Sequence, residues 1–480
     1  MKKLLLGLLF FASSVFGQTF PVNNLTVGGT ALFSGQATFS VAPFGVTPTT
    51  GDSSLKLATT AFVANGFAGL NSPAFTGIPT APTAAVGTNS IQIATTAFVA
   101  AHDPCPSILD YGGNNTGASS NNTAFASAVA ASPTGQVCVN FPAGTYAFSS
   151  SVSYTFPNNT SSLTLQGAGA ENSKFLWAAG GGLVVNYLGP LNSVHIRDVA
   201  ILTGTTATGT GILLNQTAGS IPNPANSALS DITSVVVRGS DTYAGINYWG
   251  VGIQSSGVSN VNFIGDMITG NNATVPQGIG IVVAGTASLP PVVFNLTAST
   301  LNNLSVGFQY GNYVQGVTVS QSNFTYVTNS IYVPAGETNL DQLTVVGNQF
   351  GMPPNASSGV NLSSWVPFTM ISNNLFFING TDAGVIGISG LMTVTGNTFH
   401  GDGAGSSNGF VVTSTNSFNP SVVTGNVFNS LASGIFLQTN AKNVNVQSNN
   451  YFGNVANVSN SGGVTCPASG TGNCIGGGSQ

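Results

Sequence analysis

Acid–base chemistry can gather in few places in this chain, and the foremost is the set His195, Arg197, Asp198, Asp231 and Asp266. All 480 residues together carry only 12 Asp or Glu, 7 Lys or Arg and 3 His. Glycoside hydrolysis needs two carboxyl groups flanking the scissile bond. Elimination next to a uronate needs a base and something to neutralise the carboxylate. A histidine, an arginine and three aspartates could serve either reaction if the fold brings positions 195, 197 and 231 side by side.

Register decides whether they meet. The pattern apolar-x-x-Asn-x-aromatic recurs as Val345…Asn348…Phe350, Ile371…Asn374…Phe376, Val394…Asn397…Phe399, Val423…Asn426…Phe428 and Val446…Asn449…Tyr451. The Asn spacings are 26, 23, 29 and 23 residues. Earlier members read Val319…Ser322…Phe324, Phe263…Asp266…Ile268 and Ile196…Val199…Ile201. One apolar alternation per repeat of twenty-odd residues predicts a solenoid whose coils bury their inner faces only by stacking. About ten coils are expected, with the Asn at tight bends that tolerate left-handed geometry and with their amides bonded along the axis. Side chains alternate along a strand, so the residues four and two before each ladder position point outward. In later coils these are bland, such as Thr344 with Val346 and Thr393 with Thr395. In earlier coils they are His195 with Arg197, Asp231 with Thr233, and Asn262 with Ile264. Coils stacked about 4.8 Å apart would place His195, Arg197 and Asp231 on one outer face. Asp198 and Asp266 would lie at the nearby bend. Asp231 is the expected acid or nucleophile, with Arg197 neutralising a uronate or orienting the acid. The plain alternative is a surface ion pair of little consequence.

Sugar binding needs less: aromatic faces for pyranose rings, with amides and hydroxyls for their edges. Tyr243, Tyr248 and Trp249 cluster within 241–250, a segment expected to loop between coils, and Tyr310 with Tyr313 in another. His400-Gly401-Asp402-Gly403 reads as an exposed turn. No CxxC occurs, and no metal or other cofactor is expected. Nucleic acid is excluded as a partner by the scarcity of basic residues and the net charge of −5. Lipid surfaces lack a basic patch to attract them, and no apolar run is long enough for a membrane helix.

The chain's ends carry other signals. Lys2 and Lys3 precede an apolar stretch from Leu4 to Phe16, with Val15 and Gly17 placed for cleavage. Residues 1–17 thus read as a secretory signal peptide, which predicts an extracellular protein. Four cysteines then permit two disulfides, the simplest pairing being Cys105–Cys138 and Cys466–Cys474. Ala58-Thr59-Thr60-Ala61-Phe62-Val63-Ala64 recurs 36 residues later as Ala94-Thr95-Thr96-Ala97-Phe98-Val99-Ala100. Residues 18–101 resemble the short repeats of bacteriophage tail fibres, which implies a trimeric stalk. Without that resemblance they read as an extended linker with two helical turns.

From 102 the texture changes. Ile108-Leu109-Asp110-Tyr111-Gly112-Gly113, a short helix at 122–131, Val139-Asn140-Phe141-Pro142-Ala143-Gly144-Thr145-Tyr146 and Leu163-Thr164-Leu165-Gln166-Gly167 follow in order. This series resembles the first cap of the pectate-lyase superfamily, which includes phage tailspikes, epimerases and rhamnogalacturonase-like enzymes. The resemblance implies an all-β, right-handed parallel β-helix over 102–455, followed by a Gly/Ser-rich tail at 456–480. It also implies a homotrimeric, tailspike-like or adhesin-like protein that binds surface polysaccharide. An active lyase or glycoside hydrolase, and a purely structural surface protein, remain as alternatives. The family's usual pectinase motifs are absent, and its Asp-rich first loop here reads Gly113-Asn114-Asn115-Thr116-Gly117.

Overall fold

The computed structural model describes residues 105–131, 135–216, 226–243, 245–354, 357–403, 405–416, 419–461 and 473–475, with scattered positions before 105. The expected signal peptide, most of the repeat region, Ala244 and Cys466 lie outside the described residues. The chain divides into two compact units, 1–98 and 99–480. In the first, the Val63 N–H donates to the Thr59 carbonyl (3.1 Å), a helical turn at the first repeated heptad.

The second unit opens with a cap. Ser107 closes the start of a 3-10 turn, Ile108–Tyr111. The helix α1, Asn122–Ala130, follows and buries Phe125 and Ala128. Cys105 is disulfide-bonded to Cys138, as the simplest pairing predicts. Beyond the cap, every coil contributes one strand to each of three parallel sheets: a first of 13 strands that includes Ser193–Arg197, a second of 13 that includes Ala200–Thr203, and a third of 12 that includes Val306–Tyr310. The fold is a parallel β-helix, with more coils than the ten expected. The extra coils precede Ile196, where strands such as Gly144–Ala147 and Ser173–Trp177 stack without the Asn-aromatic signature. The last coil also runs further than expected: Ala456–Asn460 pairs with Ser433–Leu437.

Inward positions form columns along the axis. Ile196, Ile232, Phe263, Leu296, Val319, Val345, Ile371, Val394 and Val423 are all fully buried. The ladder aromatics stack face to face: Phe350, Phe376, Phe399 and Phe428 lie 4.7–4.8 Å apart, centroid to centroid. That separation matches the inter-strand spacing, so each ring sits directly above the next. On the facing sheet a glycine accompanies Phe376, Phe399 and Phe428. A Cβ on Gly384 would stand 2.5 Å from the Phe399 ring.

Between the first and second sheets runs the Asn ladder, buried throughout. Asn348, Asn374, Asn397 and Asn426 each donate from Nδ2 to the Oδ1 of the next Asn at 2.9–3.0 Å, ending at Asn449. Each Nδ2 also reaches an inward-column carbonyl of the preceding coil, from Val319 O to Val423 O. One detail departs from expectation. The Asn are not in the left-handed region; the residue before each is. Asp198, Ser234, Gly265, Ala298, Gln321, Gly347, Asn373, Gly396, Gly425 and Ser448 all have φ between 51° and 69°. The bend is therefore made one position earlier, and the Asn is selected for its amide, which satisfies groups that water cannot reach.

Candidate functional site

Two neighbouring strands of the first sheet, Ser193–Arg197 and Ser230–Thr233, position the charged set. Asp231 pairs in register with His195, and Thr233 with Arg197. The inward Ile196 and Ile232 fix which side chains face out. The three side chains meet. Asp231 Oδ2 bonds His195 Nδ1, while Arg197 clamps both carboxylate oxygens, Nε to Oδ1 at 2.9 Å and Nη2 to Oδ2 at 3.1 Å. Thr233 Oγ1 adds a bond to Oδ1 (3.2 Å). The predicted constellation thus exists as geometry.

Its electrostatics reassign Asp231. Burial alone would raise its pKa, but hydrogen bonds and charge from His195 and Arg197 hold it well below the usual carboxylate range. Only 7% of Asp231 is exposed, and both oxygens are engaged. A carboxylate so held is neither a proton donor nor a free nucleophile. It orients His195, whose Nδ1 it occupies and whose Nε2 meets no partner among the described residues. Among the described residues Arg197 Nη1 likewise has no partner, and its side chain is 47% exposed. The face therefore offers an imidazole and part of a guanidinium, both aligned from below. It could hold a hydroxyl or carboxylate and move a proton at Nε2.

Neighbours on this face are uncharged. In register with Asp231 follow Asn262, Asn295, Thr318 and Thr344, and with Arg197 follow Thr233, Ile264, Thr297, Ser320 and Val346. Asn295 Nδ2 donates to Asn262 Oδ1 (2.8 Å), extending a polar strip beside the charged set.

The other expected site residues fare differently. Asp266 is a ladder residue, 1% exposed, with Oδ1 accepting from the Val235 N–H at 2.9 Å. Burial raises its pKa well above the usual value, and the nearby Asp231 charge adds to this. It cannot touch a substrate on the outer face. Asp198 is half-buried at the bend preceding Val199, with φ 58°, a conformation Asp tolerates better than most residues. Of the aromatics, Tyr248, Trp249 and Tyr310 are core residues, 6%, 3% and 0% exposed. The reason is strand extent: Tyr248–Ser256 opens on Tyr248 and Trp249, beside a register shift in its pairing with Thr206–Gln216, and Val306–Tyr310 ends on Tyr310, which alternation turns inward with Phe308. The Trp249 indole donates to the Ile201 carbonyl (3.1 Å), and the Tyr310 hydroxyl lies between the carbonyls of Val314 and Asp341 (2.8 and 2.7 Å). Tyr313 is half-buried in a left-handed turn. His400 lies in the strand Thr398–Gly401, not in a turn, and its Nδ1 meets Asn429 Nδ2 (3.2 Å).

Tyr243 stays exposed, at 38%, but on the second sheet's side and in company the sequence did not announce. Its hydroxyl donates to Glu171, its ring lies under the Arg238 guanidinium at 4.7 Å, and Arg238 Nη2 bonds Glu171 Oε2 at 3.0 Å. Arg238 stands three residues past ladder position 235, so the same count could have found it. Glu171, in a bend of the unpatterned early coils, gave no such signal. Among the described residues, no group of three or more His, Cys, Asp or Glu could hold a metal ion.

The model of the rhamnogalacturonase A/epimerase, pectate lyase-like family matches residues 106–361. No curated protein sequence matches the chain. Among solved structures, the mannuronan C-5 epimerase AlgE4 A-module of Azotobacter vinelandii is similar at 13% identity and TM-score 0.43, over 78% of this chain and 100% of that one. The surface adhesin PfbA of Streptococcus pneumoniae is similar at 13% identity and TM-score 0.47, over 76% and 93%. The enzymatically active domain of bacteriophage CBA120 tailspike protein 2 is similar at 14% identity and TM-score 0.45, over 68% and 47%.

Proposed function

The chain belongs to the rhamnogalacturonase A/epimerase, pectate lyase-like family, and from that premise we propose that it engages a polysaccharide outside the cell. The observation that carries this reading is the His195–Arg197–Asp231 set. In a chain with 4% charged residues, an arginine and an aspartate converge with a histidine on two adjacent strands beside a strip of amides and hydroxyls. Solubility does not require such convergence. A glycan lying along the coils would meet Arg197 Nη1 and His195 Nε2 first, then the Asn262–Asn295 strip. The leading form of the reading is binding, as in a tailspike-like or adhesin-like spike. The tail-fibre-like repeats of 18–101 favour a homotrimer, and Lys2 to Gly17 favours export.

Depolymerisation is the second reading, favoured by the Asp231–His195 pair alone. In it His195 Nε2, rather than an aspartate, exchanges the proton, and Arg197 faces the sugar's carboxylate. The two readings separate in one experiment: incubate acidic and neutral surface polysaccharides with the chain and follow both retention and chain length. Retention without shortening supports binding. Shortening that disappears in His195→Ala supports depolymerisation. Neither retention nor shortening by any glycan ends both.

A further inference from the structure

A cavity of about 580 Å³ opens elsewhere, where third-sheet strands of four successive coils turn toward the first sheet. Its walls include Glu337, Ser364, Trp365, Thr415 and Asn416. Two features distinguish it from an ordinary gap between turns. Glu337 Oε2 is buried and has no hydrogen-bond partner, an arrangement that costs free energy unless something completes it. The Trp365 indole is anchored by its Nε1–H to the Gly390 carbonyl (2.9 Å) but is only half-buried. The backbone is fixed as well: the Glu337 N–H donates to Ser364 Oγ (3.0 Å), which donates to the Pro334 carbonyl (2.7 Å).

We propose that this cavity is a separate binding site for a neutral, hydroxyl-bearing saccharide unit, which donates a hydroxyl to Glu337 Oε2 and lays its ring against Trp365. Among the described residues no Lys or Arg lines the cavity, so a uronate would meet an uncompensated carboxyl there. A hydroxyl supplies the missing donor without adding charge. Burial raises the Glu337 pKa above its ordinary value, against the pull of the Asn312 backbone N–H, which fits a site built for uncharged company. An indole wall with a few convergent polar groups is the usual make-up of a sugar pocket.

The chain holds its own reporter. Of its three tryptophans, Trp177 and Trp249 are 1% and 3% exposed, which leaves Trp365 to sense solvent. The full chain is titrated with neutral glucose, galactose and mannose tetrasaccharides, and separately with a tetragalacturonate, while indole fluorescence is read. A saturable change is expected with at least one neutral tetrasaccharide and not with the uronate. Glu337→Ala should weaken that binding roughly tenfold, the worth of one well-made polar contact. Calorimetry on Trp365→Ala should show a comparable loss, with unchanged unfolding temperatures showing that both variants fold. No saturable change with any neutral sugar up to about 10 mM, or equal affinity in both variants, overturns the proposal. Neutral-sugar binding that responds to Arg197→Ala but not to Trp365→Ala also overturns it, while leaving the reading of the His195 face intact.

Discussion

The coils from Ser322 to Asn449 and those from His195 to Asp266 share one backbone plan yet differ in what fills it. In the later coils the ladder repeats, Asn on Asn from Asn348 and ring on ring, and the outer positions are uncharged. In the earlier ones the ladder residue is Val199, Val235 or Asp266, the stacked ring becomes Ile201, Val237 or Ile268, and the outer positions carry charge. Repetition is the cheaper way to hold a solenoid, because one solution serves every coil. Departure from it is concentrated in two adjacent coils, where the outer face carries Arg197, Asp231 and His195.

The largest expected effect breaks the regular region. Phe376 lies 4.7 Å from both Phe350 and Phe399 and is fully buried. Phe376→Ala should cost about 3–5 kcal/mol, read as a lowered denaturation midpoint at unchanged m-value. Next comes Asn397→Ala. It removes the Oδ1 that accepts from both the backbone N–H and Nδ2 of Asn374, and it takes from the Ile371 carbonyl its side-chain donor. A loss of about 2–4 kcal/mol is expected, several buried groups losing partners together. The same change at Val199 should cost less, since no amide ladder passes through it.

A third test sharpens the comparison at Asp266, the one ladder position carrying an acid. In every Asn coil the second side-chain atom donates to the preceding inward carbonyl, which by the same register is Ile232 O here. Asp266 Oδ2 is buried without a partner, and only a protonated carboxyl could imitate the amide. Burial raises its folded-state pKa. A raised folded pKa means that the folded state binds the extra proton, so this contribution is full below the unfolded carboxylate pKa. It is lost as pH climbs through the folded value. Asp266→Asn should therefore flatten the decline of stability above pH ~4 and gain on the order of 1 kcal/mol at neutral pH. If the variant and the parent show parallel pH profiles, the acid is not standing in for an Asn.

The smallest effect on stability is expected at Asp231. Arg197 is half-exposed and can return to water, so Asp231→Ala should cost about 1 kcal/mol or less. The depressed Asp231 pKa puts that contribution above the unfolded carboxylate pKa, to be lost only as pH falls through its low folded value. Glycan retention, by contrast, should fall sharply, because His195 and Arg197 lose the anchor that orients them.

Much of this was legible in the sequence, for one reason. A two-residue alternation inside a twenty-odd-residue repeat fixes both register and facing, so counting from Val199 and Val235 located His195, Arg197 and Asp231 correctly. The same count missed coils without the signature, hence the short coil tally and the silence on Glu171. It also misjudged Tyr248, Trp249 and Tyr310. Loop-like composition hid the strand ends, and aromatic residues alone do not tell a binding platform from a core. The roles of the aspartates were beyond sequence altogether. Asp231 and Asp266 differ by burial and by partners that only coordinates supply.

The central claim is that the charged outer face, not the regular one, engages glycan. Its most direct test compares Arg197→Gln with Thr395→Ala on an array of acidic and neutral polysaccharides, at matched folded concentration. Thr395 holds the same outward position in the uncharged coils, three ladder residues beyond Ser322. Arg197→Gln is expected to lose at least about tenfold in affinity for the retained glycan, while Thr395→Ala matches the parent. Equal retention by all three chains would contradict the account.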